Sequence, residues 1–349
     1  MADPRPVALD AFGGDKAPEA IIEGAALARD QGVPVLLVGD AEKLKGRVPK
    51  GVEVVHAPGI VGMDEPASAP LRKKTDASIR RIFELVNEGV AQAAVTCGHS
   101  GAAMASALHV LGPLPGIDRA PLATVVPRRD GGQLVLLDLG ANVDCKPMHF
   151  AQFAVLGESY ARAILGIEHP RVGLLANGEE RGKGNTQVRA AFPEIEALGL
   201  AFVGNVEPLG ALRGECDVLV CDGFVGNVML KTVEGTVEVV GAILREELRR
   251  RYDGLLGRWL MQGAFRRFRQ RTTYDSVGGA ILLGVNGVAV VGHGRADARA
   301  VASAVRYARN CASAGLVATV RARAQERLDT GESEAAAIVG APFRGRPNG

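Results

Sequence analysis

Nine short apolar runs, each followed by a stretch with helical spacing, limit what this chain can fold into: Val7–Asp10, Val33–Val38, Val52–His56, Ala93–Thr96, Leu122–Val126, Leu134–Asp138, Val172–Leu175, Ala201–Val203 and Val218–Cys221. Short runs without polar alternation read as strands buried on both faces, and the helices between them supply the cover. The pattern predicts a doubly wound α/β fold with a mostly parallel sheet. Near the end the pattern changes. Ile281–Val285 and Val288–Val291 flank Asn286-Gly287, the spacing of a hairpin with a two-residue type I′ turn, so an antiparallel hairpin is expected as an addition to the sheet. His293-Gly294 follows it, and Asp297 is placed to cap a helix over Ala298–Ala314. From Gly331 the sequence turns small, Gly-rich and Pro-rich, which reads as a frayed tail after one domain over residues 1–330.

A chain of 349 residues with 47% hydrophobic content can bury a large core. Its formal charge of +2 gives no global attraction to nucleic acid, and 4% aromatic residues do not suit a base-stacking surface. Five cysteines (Cys97, Cys145, Cys216, Cys221, Cys311) are odd in number and lack metal-site or CxxC spacing, so they read as reduced thiols of a cytoplasmic protein. The opening MADPRP lacks the basic and apolar regions of a signal peptide. The longest weakly polar run, Val277–Gly292, is 16 residues long and split by Asn286-Gly287, short of the about 20 that a spanning helix needs.

Ligands of such sheets collect at the carboxyl ends of strands, so the residues after each run carry the functional reading. RVGLLANGEERGKGN, Arg171–Asn185, breaks at Asn177-Gly178, presents Glu179, Glu180, Arg181 and Lys183 between glycines, and opens a helix at Asn185. Amides at a helix N-terminus hold anions, Gly178, Gly182 and Gly184 permit close approach, and Lys183 adds a mobile positive charge. The stretch is not a nucleotide P-loop, because Gly184 stands where Ser or Thr would bind magnesium. On its residues alone it fits an anion site and a solvated turn equally.

The other strand ends add polar groups. DAFGGD supplies Asp10, Gly13 and Gly14, read as a capped tight turn in preference to a metal site. TCGHSGA offers Ser100 and the amides around Gly101 to an anion, with His99 as an ordinary hydrogen-bonded residue. LLDLGANVDC places Asp138, Asn142 and Asp144 where they can orient a substrate, and CDGFVGNVMLK places Asp222 and Asn227 at the start of a helix. Arg72, Lys73 and Lys74 close a Pro-rich loop at the head of a helix over Thr75–Asn87, where the helix dipole disfavours cations, a hint of an anionic partner.

Between Arg245 and Arg271, nine arginines face Glu246, Glu247 and Asp253, a local net of +6, with the only tryptophan among them. Trp259, Phe265 and Phe268 interleave with Arg258, Arg266, Arg267 and Arg269 across Gly263, which reads as two short basic helices, a protrusion over about 245–275. Such a pair suits an anionic membrane surface, an acidic protein partner, or packing on the protein's own core or a second subunit.

With these stretches in order, the chain resembles the bacterial phosphate acyltransferase (PlsX) family of phospholipid synthesis. The resemblance rests on DAFGGDKAPE, GMDEPASAPLRKK, PGIDRAPLA, LLDLGANVDCKP, GEERGKGN, CDGFVGNVMLKTVEG and GGAILLGVNGVAVVGHG, over about residues 7–313. Two departures stand out. TCGHSGA replaces the usual SAGNTGA, putting His99 and Ser100 for Asn and Thr, and LLANGEE replaces LLNIGEE, putting Ala176 and Asn177 for Asn and Ile. The resemblance implies a fold akin to phosphotransacetylases and isopropylmalate-type dehydrogenases. It also implies transfer of a long-chain acyl group from acyl carrier protein to inorganic phosphate, by a soluble homodimer resting peripherally on the inner face of the cell membrane. The acyl phosphate would pass to the downstream membrane glycerol-3-phosphate acyltransferase. No metal, nucleotide or other cofactor is implied, and the active-site roles fall on Lys183 and Asn227.

The residue reading supplies a matching chemistry. Phosphate is already a nucleophile near neutral pH, so the protein must bring a dianion to a thioester and stabilise the tetrahedral oxyanion. Lys183 with the amides of Gly178–Gly184 would hold phosphate, and Asn227 would face the thioester oxygen. Asp10, Asn142, Asp144, Asn185 and Asp222 are candidates for orienting them. The competing readings are a short-chain phosphotransacetylase, an NAD-dependent decarboxylating dehydrogenase, disfavoured because no GxGxxG follows a strand, and a non-catalytic module binding membrane or carrier protein.

Overall fold

The structure, a computed structural model, describes residues 3–250, 263 and 278–339. Arg258, Trp259, Phe265, Arg266, Arg267, Phe268 and Arg269 lie outside the described residues. All nine apolar runs form strands: β1 (Val7–Asp10), β2 (Val35–Gly39), β3 (Glu53–His56), β4 (Ala93–Thr96), β5 (Leu122–Pro127), β6 (Gln133–Leu137), β7 (Val172–Leu175), β8 (Phe202–Val206) and β9 (Val218–Val220). The late hairpin adds β10 (Ala280–Leu282) and β11 (Ala289–Val291). They make one eleven-stranded sheet in the order β3-β2-β1-β4-β11-β10-β5-β6-β9-β7-β8.

Seven of its ten ladders are parallel. The other three, β10 against β11, β10 against β5 and β5 against β6, are antiparallel and adjacent. The expected antiparallel hairpin is present, and it sits in the middle of the sheet, where it joins two parallel blocks. Because three reversals lie between them, β3, β2, β1, β4 and β11 run one way, and β6, β9, β7 and β8 run the other. The carboxyl ends of the two blocks thus lie on opposite rims, and the site residues expected along one rim are divided between two.

The hairpin's turn also differs from expectation. A type I′ turn needs positive φ at both central residues, yet no residue other than glycine has positive φ among the described residues, and in this loop the positive value is at Gly284, +83°. Asn286 is drawn into tertiary bonds instead: its Nδ2 donates to the carbonyls of Gly112 (3.3 Å) and Pro113 (3.0 Å), and its Oδ1 accepts from Arg321 (2.7 Å).

Helices cover both faces. On one lie α1 (Glu19–Asp30), α6 (Pro147–Leu165), α7 (Thr186–Glu196), α10 (Ala298–Ser313) and α11 (Leu316–Val339), over a core that includes Val7, Leu9, Phe150, Phe153, Tyr160 and Val301. On the other lie α4 (Ser78–Asn87), α5 (Ser100–Leu111) and the start of α9 (Gly223–Arg250), over Ala8, Phe83, Leu122, Leu136 and Leu282. Short helices α2 (Ala41–Leu44), α3 (Ala69–Arg72) and α8 (Pro208–Arg213) fill connections. At the α1–α10 contact a Cβ on Gly24 would stand 2.6 Å from the Val301 side chain, so glycine lets these helices touch. α11 continues past Gly331, where a frayed tail was expected; one glycine in a helix costs only about 1 kcal/mol, and the Glu and Ala residues after it favour helix. Because α4 begins at Ser78, Arg72 ends α3 and Lys73 is its C-cap, where the dipole favours cations. The charge run is well placed, and its hint of an anionic partner is withdrawn; Lys74 pairs with Glu65 at 2.5 Å.

One buried carboxylate closes the sheet edge opposite the rim of Asn227. Asp217, before β9, accepts from Arg171 N (2.9 Å), Nε (3.0 Å) and Nη2 (3.0 Å) and from Arg128 Nη1 (2.5 Å). Burial pushes its pKa up, but hydrogen bonds and charge from the arginines outweigh that and hold it below 3.8. Since its folded pKa is depressed, its contribution is complete above the unfolded value and is lost as pH falls through the folded one. Asp217→Asn is expected to lower unfolding free energy near neutral pH by about 3 kcal/mol, and the gap to wild type in urea melts should narrow below about pH 4.

Candidate active site

Three loops at the ends of β6, β9 and β7 share one rim. After β6 the chain is folded around the buried Asp138, whose carboxylate accepts from the amides of Leu122 (2.9 Å), Gly140 (3.2 Å), Ala141 (3.1 Å) and Asn142 (2.6 Å) and from Asn142 Nδ2 (2.9 Å). Burial raises the Asp138 pKa despite these donors. Asn142 also donates to Ala120 O at 3.0 Å, so its amide fastens the loop and is not free for a ligand. Asp144 stands exposed further along.

The loop after β9 lies directly on this one. Gly223 N donates to Asn142 O at 2.8 Å, and Asp222 accepts from Val225 N at 2.8 Å, starting α9. A Cβ on Gly223 would fall 2.9 Å from Gly140 Cα, and one on Gly226 would collide with the Asp138 carbonyl oxygen. Glycine here allows backbone to lie on backbone, and the contact fixes Asn227, exposed in the first turn of α9. Its Nδ2 stands 3.2 Å from where a Cβ on Gly140 would be.

The loop after β7 is closed by its own groups. Asn177 Oδ1 accepts from Gly184 N (2.9 Å), Glu180 O from Lys183 N (2.9 Å) and from Asn205 Nδ2 (2.8 Å), and Asn185 Oδ1 caps α7 through Val188 N (2.9 Å). The amides of Lys183 and Gly184 are thereby occupied, which removes two of those expected to cradle phosphate. Arg181 is turned away, paired with Glu196 at 2.8 Å and stacked on Phe192 with its guanidinium 4.7 Å from the ring centre. The stem of Lys183 crosses the buried Gly178, where a Cβ would stand 2.8 Å from Lys183 Cγ, while Glu179 points to solvent. The Lys183 ammonium is 4.0 Å from Glu180 and half exposed.

On the opposite rim, Asp10 is buried and bonded to Ser78 Oγ (2.7 Å), Thr96 Oγ1 (2.7 Å) and Phe12 N (3.2 Å). Burial raises its pKa. It shapes the turn of Gly13 and Gly14, the latter at φ +112°, and presents nothing to a ligand. His99 Nδ1 accepts from Ala102 N at 3.1 Å and so caps α5, a job that an Asn at this place can also do.

A cleft of about 640 Å³ lies over the middle of the sheet and joins the two rims. Its floor includes Leu122, Leu139, Ala280 and Val291, and it brings Ser100 and Asn227 into one cavity. Lys183, Gly178, Glu179 and Asn185 are not among its lining. Lys16, Lys231, His293 and Arg295 are, and sequence reasoning missed them as ligand groups. Three could have been found, Lys16 as a residue following β1 and His293 and Arg295 as residues following β11, by the strand-end rule that located the others.

The architecture is shared with phosphotransacetylases. The phosphotransacetylase of Staphylococcus aureus superposes with a TM-score of 0.57 at 17% identity, covering 89% of this chain and 96% of that one. That of Streptococcus pyogenes gives 0.58 at 18%, covering 91% and 96%. At such identity they establish the fold only. The family described as fatty acid synthesis protein matches residues 6–319, and the chain belongs to it. Curated relatives named phosphate acyltransferase include those of Citrifermentans bemidjiense, 46% identical over 93% of this chain and 92% of its own length, and Acidobacterium capsulatum, 48% over 89% and 94%.

The backbone contact beneath Asn227 is open to test. Gly226→Ala should force α9 off the Asp138 loop and lower unfolding free energy by about 1–3 kcal/mol, read as a shift in the urea midpoint.

Proposed function

We propose that the chain is a phosphate acyltransferase that moves a long-chain acyl group from the thioester of acyl carrier protein to inorganic phosphate. The observation that carries this reading is Asn227, pinned by backbone contacts at a cleft that joins both rims, in a chain alike over its length to phosphate acyltransferases. A phosphate oxygen bonds to the thioester carbon while the carboxamide of Asn227 donates to the oxyanion that forms; the C–S bond then breaks and releases the carrier thiol. Lys183, on the adjacent strand end, neutralises phosphate, and the half-exposed ammonium has the freedom to follow it. Asp138, Asn142 and Asp222 hold the loops and do not touch substrate; Asp10 and Asn185 do the same for theirs.

The same reading places the protein as a homodimer at the membrane. α9 continues from the cleft with Val239, Val240, Ile243 and Leu244 exposed, an apolar approach to the basic segment. Arg258, Trp259, Phe265, Arg266, Arg267, Phe268 and Arg269 would rest on the inner face of the membrane or receive the acidic carrier protein, with acyl phosphate passing to the membrane glycerol-3-phosphate acyltransferase.

Phosphate-dependent loss of acyl carrier protein thioester tests the activity. Asn227→Ala is expected to lower kcat by about a hundredfold, the size of a lost oxyanion donor. Lys183→Ala should mainly raise KM for phosphate, and near-normal turnover of both folded variants would refute the assignment. Trp259→Glu with Phe265→Glu should abolish binding to anionic liposomes without lowering the melting temperature.

A further inference from the structure

We propose that the cleft wall facing Asn227 is a second anion subsite, in which Lys16 and Arg295 hold the phosphodiester of the acyl donor's pantetheine arm; this rests on the acyl-transfer reading above. β1, β4 and β11 are adjacent and parallel, so their carboxyl ends stand side by side. The loops after them carry Lys16, Ser100, and His293 with Arg295, and all four residues line the cleft. These loops are stitched together: Asp15 N donates to Gly294 O (2.8 Å) and Gly292 N to Thr96 O (2.7 Å), while Arg295 N donates to His293 Nδ1 (3.1 Å) within the loop after β11.

The charges on the two walls differ. On α9, Lys231 is paired with Glu234 at 2.9 Å, and Glu238 adds a carboxylate. Across from it, neither the Lys16 ammonium nor the Arg295 guanidinium has a hydrogen bond or ion pair among the described residues, and the nearby Asp297 carboxylate accepts from Ala300 N at 2.9 Å. An anion therefore meets those two unpaired cations on the Lys16–Arg295 wall, beside the carboxylates of Asp15 and Asp297, and an excess of carboxylate on α9. Between those cations and Asn227 runs the floor of Leu122, Leu139, Ala280 and Val291, which suits an uncharged linker and solvates no second charge. A ligand with an anion at one end, a neutral arm and a reactive acyl group at the other has the matching order. A phosphate-type group here is either the donor's phosphodiester or inorganic phosphate. The attacking phosphate must touch the carbonyl carbon at Asn227, so the distant cations fit the donor.

The test compares acyl-phosphopantetheine with acyl-pantetheine, donors that differ only in the phosphate. Wild type is expected to prefer the phosphorylated donor. Lys16→Ala and Arg295→Ala should each cut that preference in kcat/KM by about tenfold, through KM, as for loss of a charge-assisted hydrogen bond, and Arg295→Lys should restore part of it. Both side chains are exposed on loops, and melting curves will verify folding. A raised KM for inorganic phosphate with an unchanged donor preference would assign the cations to the co-substrate and overturn the proposal, as would no change in either. Wild type that turns over neither these donors nor acyl carrier protein thioester would instead overturn the acyl-transfer reading itself.

Discussion

Backbone hydrogen bonding has to continue across the centre of the sheet, and three consecutive antiparallel ladders are how this chain does it. The position of the cleft follows from that pairing. Two parallel blocks, each of which could satisfy only its own strands, become one sheet whose strand ends open onto opposite rims. The short central strands leave a floor that neither block's helices fully cover, and the cleft is what remains above it. A purely parallel sheet of this length would align its loops along one rim and leave no such crossing.

The polar side chains near the cleft divide by burial. Asp10, Asp138 and Asp222, the three that most resemble catalytic carboxylates in a sequence, are buried; Asp10 and Asp138 each accept from several amide or hydroxyl donors, and Asp222 accepts from Val225 N. Desolvating a carboxylate is costly unless such donors meet it, and here they do so by winding a loop around it. The exposed polar groups in the cleft's lining include Lys16, Ser100, Asn227, Lys231, His293 and Arg295.

The first nine strands were legible because an uninterrupted apolar run has few other places to go. The strand-end loops were legible too, as polar turns after each apolar run, whereas the contact of backbone on backbone at Gly223 and Gly226 was not. What escaped was set by pairing between distant segments. That β10 would enter the centre, that Asn286 would leave its turn for Gly112, Pro113 and Arg321, and that the Asn177 side chain would take the Gly184 amide are all decided by partners far away or out of periodic register. The cations of Arg72–Lys74 were misjudged because α3 is a single turn, too short to show periodicity. The departure at His99 is explained by local geometry alone: an imidazole nitrogen reaches the same amide that a carboxamide can reach.

α9 runs 28 residues from Gly223 to Arg250, with its first turn clamped under the cleft, about 42 Å in all at 1.5 Å per residue. The Asn227 end and the Arg250 end are thus joined by a rod whose length and azimuth are counted in residues. Adding or removing one residue in its exposed stretch would rotate the outer end by about 100° relative to the Asn227 end, leaving both termini individually intact but mutually misaimed. Evolution can therefore tolerate substitutions along this rod far more readily than single-residue insertions.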